Sequence, residues 1–265
     1  MSACYDIHAH LADSRIVGNA ESILSASAQQ GVRGILVNAA RVEEWPTVVR
    51  LASYPAVYGA LGLHPFFIGD WEAALPDRLK AAILAAGPRI RAVGEIGLDF
   101  CHGREWVRRQ IGTLEAQLGV AGELGLPVIL HNRKSWPEFL AVWRSCGHAV
   151  PHGVCHHFTG GREMARQLLD LGLFISFCGP LTYPNARRLK ETAEYVPLER
   201  VLTETDAPDL PAQPYRGGFS YPWQVSVIVD ELARLKSRSR EAVAEQVERN
   251  FRTVLRLPSP AGQAS

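Results

Sequence analysis

The stretch AVGEIGLDFCHGREWVRRQIGTLEAQLGVAGELGLPVILH, Ala92 to His131, decides the architecture. Ala92–Ile96 is a short apolar run broken by Glu95. Glu105–Gly122 then sets Ile111, Leu114, Leu118 and Ala121 on one stripe, which is helical spacing. Val128–Leu130 is apolar again and ends at His131. The order is strand, helix, strand. The same alternation runs outward in both directions, with apolar runs at Cys4–Ile7, Gly34–Val37, Val57–Leu61, Gly153–Cys155, Phe174–Phe177 and Val201–Leu202. A helix is predicted over Arg162–Gly172, with Gly172 as its C-cap. Two more close the chain, about Trp223–Leu235 and Arg240–Leu255, with Ser239 as an N-cap. Eight strand-then-helix units predict an α/β fold, a single (β/α)8 TIM barrel. The alternative is an open doubly wound sheet, which normally carries a glycine-rich phosphate loop. No GxGxxG or GxxxxGK[ST] occurs, so the barrel is preferred.

The chain has 265 residues, within the range of one barrel. We expect one domain over 1–257 and a flexible tail over 258–265. The hydrophobic fraction of 47% and charged fraction of 21% exclude extensive disorder. The 28 basic and 27 acidic residues leave a net charge of +1, which excludes a broadly basic, duplex-coating surface. The five cysteines are odd in number and form no CxxC, against a disulfide scaffold or a Cys-rich zinc module. No run is long and apolar enough to span a bilayer, and the N-terminus lacks the pattern of a secretory signal. By elimination, the expected location is the cytoplasm. Pro208 to Pro222 reads as a long loop after the last strand.

The chemistry-bearing residues sit where the apolar runs stop. His8 and His10 in Asp6-Ile7-His8-Ala9-His10 share a strand face, a natural half-site for a divalent ion. Glu95 is a carboxylate in an apolar strand, expensive to bury without a partner and able to bridge two cations. Its flanking glycines would allow close approach of backbone and ligand. His131 and His156 each follow a buried run; a lone histidine there is usually a satisfied core residue. His157 would point away from His156 if the strand continued, so at most one of the two should face the site. Glu204 and Asp206 follow the last strand, and His64 ends the third. A barrel brings all these strand ends to one rim. Four histidines and two carboxylates exceed what one catalytic zinc takes from a protein, so two ions sharing Glu95 use the set well.

The segments DIHAHL (Asp6–Leu11), GLHP (Gly62–Pro65), VGEIGLDF (Val93–Phe100), PVILHNR (Pro127–Arg133), HHFTG (His156–Gly160) and ETDAPDL (Glu204–Leu210) occur together in this order. In them the chain resembles the TatD family of metal-dependent deoxyribonucleases, among the amidohydrolase-like barrels. The resemblance implies metal ligands at His8, His10, Glu95, His131, His156 and Asp206. Glu95 would bridge, with His8, His10 and Asp206 on one ion and His131 and His156 on the other. It implies supporting or phosphate-contacting roles for His64, Arg133 and Glu204, and a proton acceptor in Asp206. Phe66-Phe67 after GLHP and His157 after His156 depart from the usual pattern and resemble the YjjV-like branch.

Two divalent ions (Zn, Mg, Mn, Ni or Fe) are thus the expected cofactors. The expected activity is a 3'-5' exonuclease-like phosphodiesterase on single-stranded or frayed DNA, with Glu95, Asp206 and Glu204 as catalytic residues and a water activated by both metals. Arg133, Lys134, Arg216 and the Arg187-Arg188-Lys190 cluster are candidate phosphate contacts. Phe66, Phe67, Tyr183, Tyr215 and Phe219 are candidate stacking platforms or, equally, loop packing. Alternatives are a small ester, lactone or amide hydrolase on the same site, or a barrel that keeps metal only for stability. No membrane or obligate protein partner is expected, and the chain is read as a monomer.

Overall fold

The computed structural model describes residues 2–258. Among them, eight parallel strands alternate with helices: β1 (Cys4–Ala9), β2 (Val32–Asn38), β3 (Val57–Leu61), β4 (Ile90–Asp99), β5 (Val128–Arg133), β6 (Gly153–Cys155), β7 (Phe174–Phe177) and β8 (Val201–Thr203). Each strand hydrogen-bonds to the next, in order from β1 to β8. The outer layer is α1 (Ala20–Gln29), α2 (Trp45–Leu51), α3 (Leu75–Ala86), α4 (Val107–Leu124), α5 (Trp136–Cys146), α6 (Arg162–Asp170), α7 (Arg187–Tyr195), α8 (Val225–Lys236) and α9 (Arg240–Val254). This is a nearly closed (β/α)8 TIM barrel, and the open sheet is set aside.

The seam between β1 and β8 is closed largely by side chains and loop backbone. The buried Asp6 carboxylate accepts from Thr205 N (3.1 Å), Thr205 Oγ1 (2.5 Å) and His8 N (3.1 Å). Thr203 Oγ1 donates to the Tyr5 carbonyl at 2.7 Å. Asp206 N donates to His8 O and His10 N to Ala207 O, at 2.9 and 2.7 Å. These contacts dock the Glu204–Ala207 segment against the HxH motif.

Several boundaries differ from the sequence reading. β1, β4 and β5 run past the apolar runs, so His8, Glu95 and His131 lie inside strands and not at their ends. The added residues keep pairing: Gly97 with His131, Leu98 with Asn132 and Asp99 with Arg133. Glu95 falls in a register shift of β4 between Val93 and Ile96. Gly97 does not make room for a ligand. A Cβ on it would lie 1.9 Å from the His131 carbonyl oxygen, so the glycine lets β5 approach β4. Helix α4 starts at Val107, two residues late, because Asp99 Oδ1 ties Cys101 N at 2.8 Å and holds the chain in a turn. Ser239 does cap α9, accepting from Ala242 N at 3.2 Å. Gly172 follows the cap residue Leu171 in the left-handed region, with φ of 78°. The loop over Pro208–Pro222 contains one short 3-10 turn, Gln213–Tyr215. From residue 259 on, the expected tail lies outside the described residues.

Helix α9 is tied to the start of β8 by buried Asn250, whose Nδ2 donates to the Leu198 and Val201 carbonyls at 2.8 and 2.7 Å. Each carbonyl left unpaired costs about 1–3 kcal/mol. Asn250→Ala is therefore expected to destabilise the fold by about 2 kcal/mol or more. The check is a lower denaturant midpoint at unchanged m-value.

Candidate metal centre

Glu95 is 2% exposed and organises the centre. Its two oxygens face different partners. Oε2 lies 3.1 Å from His10 Nε2 and 3.3 Å from His8 Nε2. Oε1 lies 2.7 Å from His156 Nε2, 2.9 Å from His131 Nδ1 and 3.3 Å from His64 Nε2. Asp206 Oδ1 joins the first set, 3.4 Å from His8 Nε2 and 3.6 Å from His10 Nε2. Imidazoles from β1 and the residue after it, the turn after β3, β5 and the stretch just past β6 thus converge on one carboxylate of β4.

The outer nitrogens fix which lone pairs point inward. His10 Nδ1 lies 3.1 Å from the Asn38 carbonyl, which can only accept, so Nδ1 carries the proton and Nε2 is left basic. His131 Nε2 lies 2.9 Å from Asp99 Oδ2, which leaves Nδ1 facing Glu95. Such a carboxylate–imidazole pair is the usual support of a metal-binding histidine. His64 is the reverse. Its Nδ1 accepts from Phe66 N at 3.0 Å, so its Nε2 carries the proton and donates toward Glu95. That tautomer is a hydrogen-bond donor and not a ligand. The Nδ1 atoms of His8 and His156 and Oε2 of Glu204 are buried without a partner. Unprotonated nitrogens and carboxylate oxygens crowded at about 3 Å repel one another unless protons or cations sit between them. The donor set fits divalent cations.

Titration behaviour follows the crowding. Burial opposes charge on Glu95, but the imidazoles of His156, His64 and His8 outweigh it and hold the carboxyl well below its usual range. Burial lifts Asp206 to about 7, against the pull of His156 and His10. Burial pulls His64 down to about 4. Burial also disfavours charge on His10, yet Glu95 and Asp206 raise it to about 9.

The structure brings His10, His64, Glu95, His131, His156 and Asp206 together around a cavity of ≈290 Å³ on the rim, with His8 fully buried behind Glu95. Glu204 stands behind it, fully buried, 3.7 Å from His156 Nδ1 and accepting from His157 N at 2.5 Å. β6 stops at Cys155 and His157 takes a φ of 43°, so strand alternation does not apply and His157 lines the cavity beside His156. Arg133 is exposed at the last position of β5, outside the cavity wall. Arg187 and Lys190 are engaged by Glu191 and Glu231. Arg216 lies 4.4 Å over the Tyr183 ring, so that pair ties two loops together. Sequence reading missed Asp99 as the partner of His131. Its place in VGEIGLDF, two register positions beyond Gly97, was the available signal.

A family model described as TatD related DNase matches residues 5–256. The chain belongs to the TatD family. The metal-dependent hydrolase YjjV of Escherichia coli is 32% identical over 96% of this chain and 98% of its own length. Its crystal structure superposes with a TM-score of 0.90. The metal-dependent hydrolase YabD of Bacillus subtilis is 30% identical over 96% of this chain and 99% of its own. A protein of Klebsiella pneumoniae named 3'-5' ssDNA/RNA exonuclease TatD is 31% identical over 94% of this chain and 97% of its own. This TatD-family chain is accordingly a metal-dependent hydrolase, and its His and Glu groups are candidates to hold the metal.

Losing an outer carboxylate typically costs a metal site 10- to 100-fold in affinity. Asp99→Ala is expected to weaken Zn²⁺ binding by about that factor in calorimetric titration, with the circular dichroism spectrum unchanged. Chelation is expected to lower the melting temperature of the wild-type protein and added Zn²⁺ to restore it, because the ion binds the folded state.

Proposed function

We propose that two divalent cations share Glu95 and that the protein hydrolyses phosphodiester bonds of single-stranded nucleic acid from the 3' end. The carrying observation is the division of Glu95, with Oε2 toward His8, His10 and Asp206 and Oε1 toward His131 and His156. Divalent cations in such a pair supply Lewis acidity toward a phosphoryl oxygen and acidify water. The protein's own groups do the rest. Glu95 holds the two ligand sets together. His64, with its proton on Nε2, offers a donor at the cavity wall. Asp206, beside His8 and His10, is the proton acceptor. Glu204 positions His156 from behind. Arg133 stands exposed at the rim for phosphate contact. Relatives in Klebsiella pneumoniae and Salmonella typhimurium named as 3'-5' ssDNA/RNA exonucleases support the substrate class.

The five cysteines are unpaired, which suits a reducing compartment such as the cytoplasm. No helix among the described residues is long and apolar enough to cross a membrane.

A second reading has one observation in its favour. The cavity at Glu95 is small, ≈290 Å³, and Phe66 and Phe67 form part of its wall. That suits an ester, lactone or amide of low mass.

The test is a 5'-labelled single-stranded oligonucleotide incubated with protein loaded with Mg²⁺, Mn²⁺ or Zn²⁺. Stepwise shortening from the 3' end is expected, reduced by about 100-fold or more in Glu95→Gln. Absence of shortening with all three cations overturns the nuclease reading. Ester or lactone hydrolysis in the same preparations would then establish the second.

A further inference from the structure

A second cavity, ≈460 Å³, opens beside the metal centre. Phe66 belongs to the walls of both cavities, with its ring 6.1 Å from His131 and 5.2 Å from His102. Trp106 lines the second cavity and is 48% exposed, and Phe66 is 47% exposed. The Arg109 guanidinium lies 5.5 Å from the Trp106 ring centroid. The floor is Asp99 and Gln110, and its polar groups are already matched. Gln110 Oε1 accepts from Asp99 N at 2.8 Å and Gln110 Nε2 donates to Asp99 O at 2.9 Å. The Asp99 carboxylate takes His131 Nε2–H and Cys101 N–H.

These features restrict the occupant. Asp99 and Glu105 put negative charge on the walls, so the cavity disfavours an anion. Two exposed aromatic rings favour a flat π-system, whose stacking tolerates any base identity. A floor with its hydrogen bonds satisfied offers little direct reading of base edges. Phe66, common to both walls, joins the occupant's site to the one at Glu95. We infer that this groove holds the base of the unpaired nucleotide next to the scissile phosphodiester, stacked on Phe66 and Trp106. The inference rests on the phosphodiesterase reading and names where a strand lies relative to it: along the β3 and β4 loops.

Loss of one stacking platform costs about 5- to 150-fold in binding. The experiment compares wild type, Trp106→Ala, Trp106→Phe and Tyr195→Ala on a single-stranded 10-mer and on dimethyl phosphate, a diester without a ring. Tyr195 is an exposed aromatic at the end of α7, on the opposite face of the barrel. Trp106→Ala is expected to raise KM for the 10-mer about tenfold. It should also weaken binding of the labelled 10-mer to chelator-treated protein, read by fluorescence anisotropy, by a similar factor. Hydrolysis of dimethyl phosphate, which has no ring to stack, is expected to stay at the wild-type rate, Trp106→Phe to restore most of the loss and Tyr195→Ala to change nothing. If Trp106→Ala keeps wild-type KM and binding for the 10-mer while the small diester is still hydrolysed, the base site is overturned and the phosphodiesterase reading stands. If neither substrate is hydrolysed by wild type, the phosphodiesterase reading falls and the base site with it.

Discussion

Everything around the rim answers to one constraint: a carboxylate buried at the heart of a barrel. Moving a charge of that kind out of water is tolerable only when opposite charge and hydrogen-bond donors surround it. Glu95 meets five imidazole nitrogens within 3.3 Å. Those rings come from β1, β5, the stretch just past β6 and the turn after β3, so the strands must end at one level and in one register. The irregularities of the fold gather there as well. β4 shifts register at Glu95, Gly97 admits the His131 backbone, and His157 and Asp206 adopt positive φ where β6 and β8 stop.

Much of this was legible in the chain because burial and chemistry alternate cleanly. Parallel strands buried on both faces read as short apolar runs, and the polar residue that breaks each run marks the rim. His8, His131 and His156 stand out because each ends an apolar run, Glu95 because it interrupts one, and Asp206 because it follows the last strand. What was not legible depends on distance in sequence. Asp99 was given no role from the sequence, and its bond to His131 exists only because β4 and β5 pair in that register. The tautomer of His64 depends on the backbone of Phe66, which no pattern reports. The orientation of His157 follows from β6 ending at Cys155, two residues short of it, and from its own positive φ.

Charge is handled locally. The net charge of +1 leaves no general field for a polyanion, and many surface arginines are held by carboxylates. Arg15 is clasped by Asp13 and Asp209 at the cavity mouth. Arg166 bonds Glu163 and Asp170 along α6. The cations proposed for the Glu95 cluster would supply positive charge where that surface does not. Binding to a polyanion by this surface would show a shallow dependence on salt.

The β1–β8 seam has a further consequence, for the order of events in folding. Asp6 and Thr205 are separated by 199 positions, yet their side chains hold the seam. Non-local pairings of that kind form late, after the cost of closing a long loop has been met. During synthesis the HxH strand emerges first and stays an unpaired edge on one side until the Glu204–Ala207 segment leaves the ribosome. If the proposed cation site uses both His8 and Asp206, it cannot assemble before then. Metal loading would thus mark the completion of the barrel, and a chain truncated before Thr205 would lack the seam contacts of Thr205 and, of the residues at the centre, Asp206.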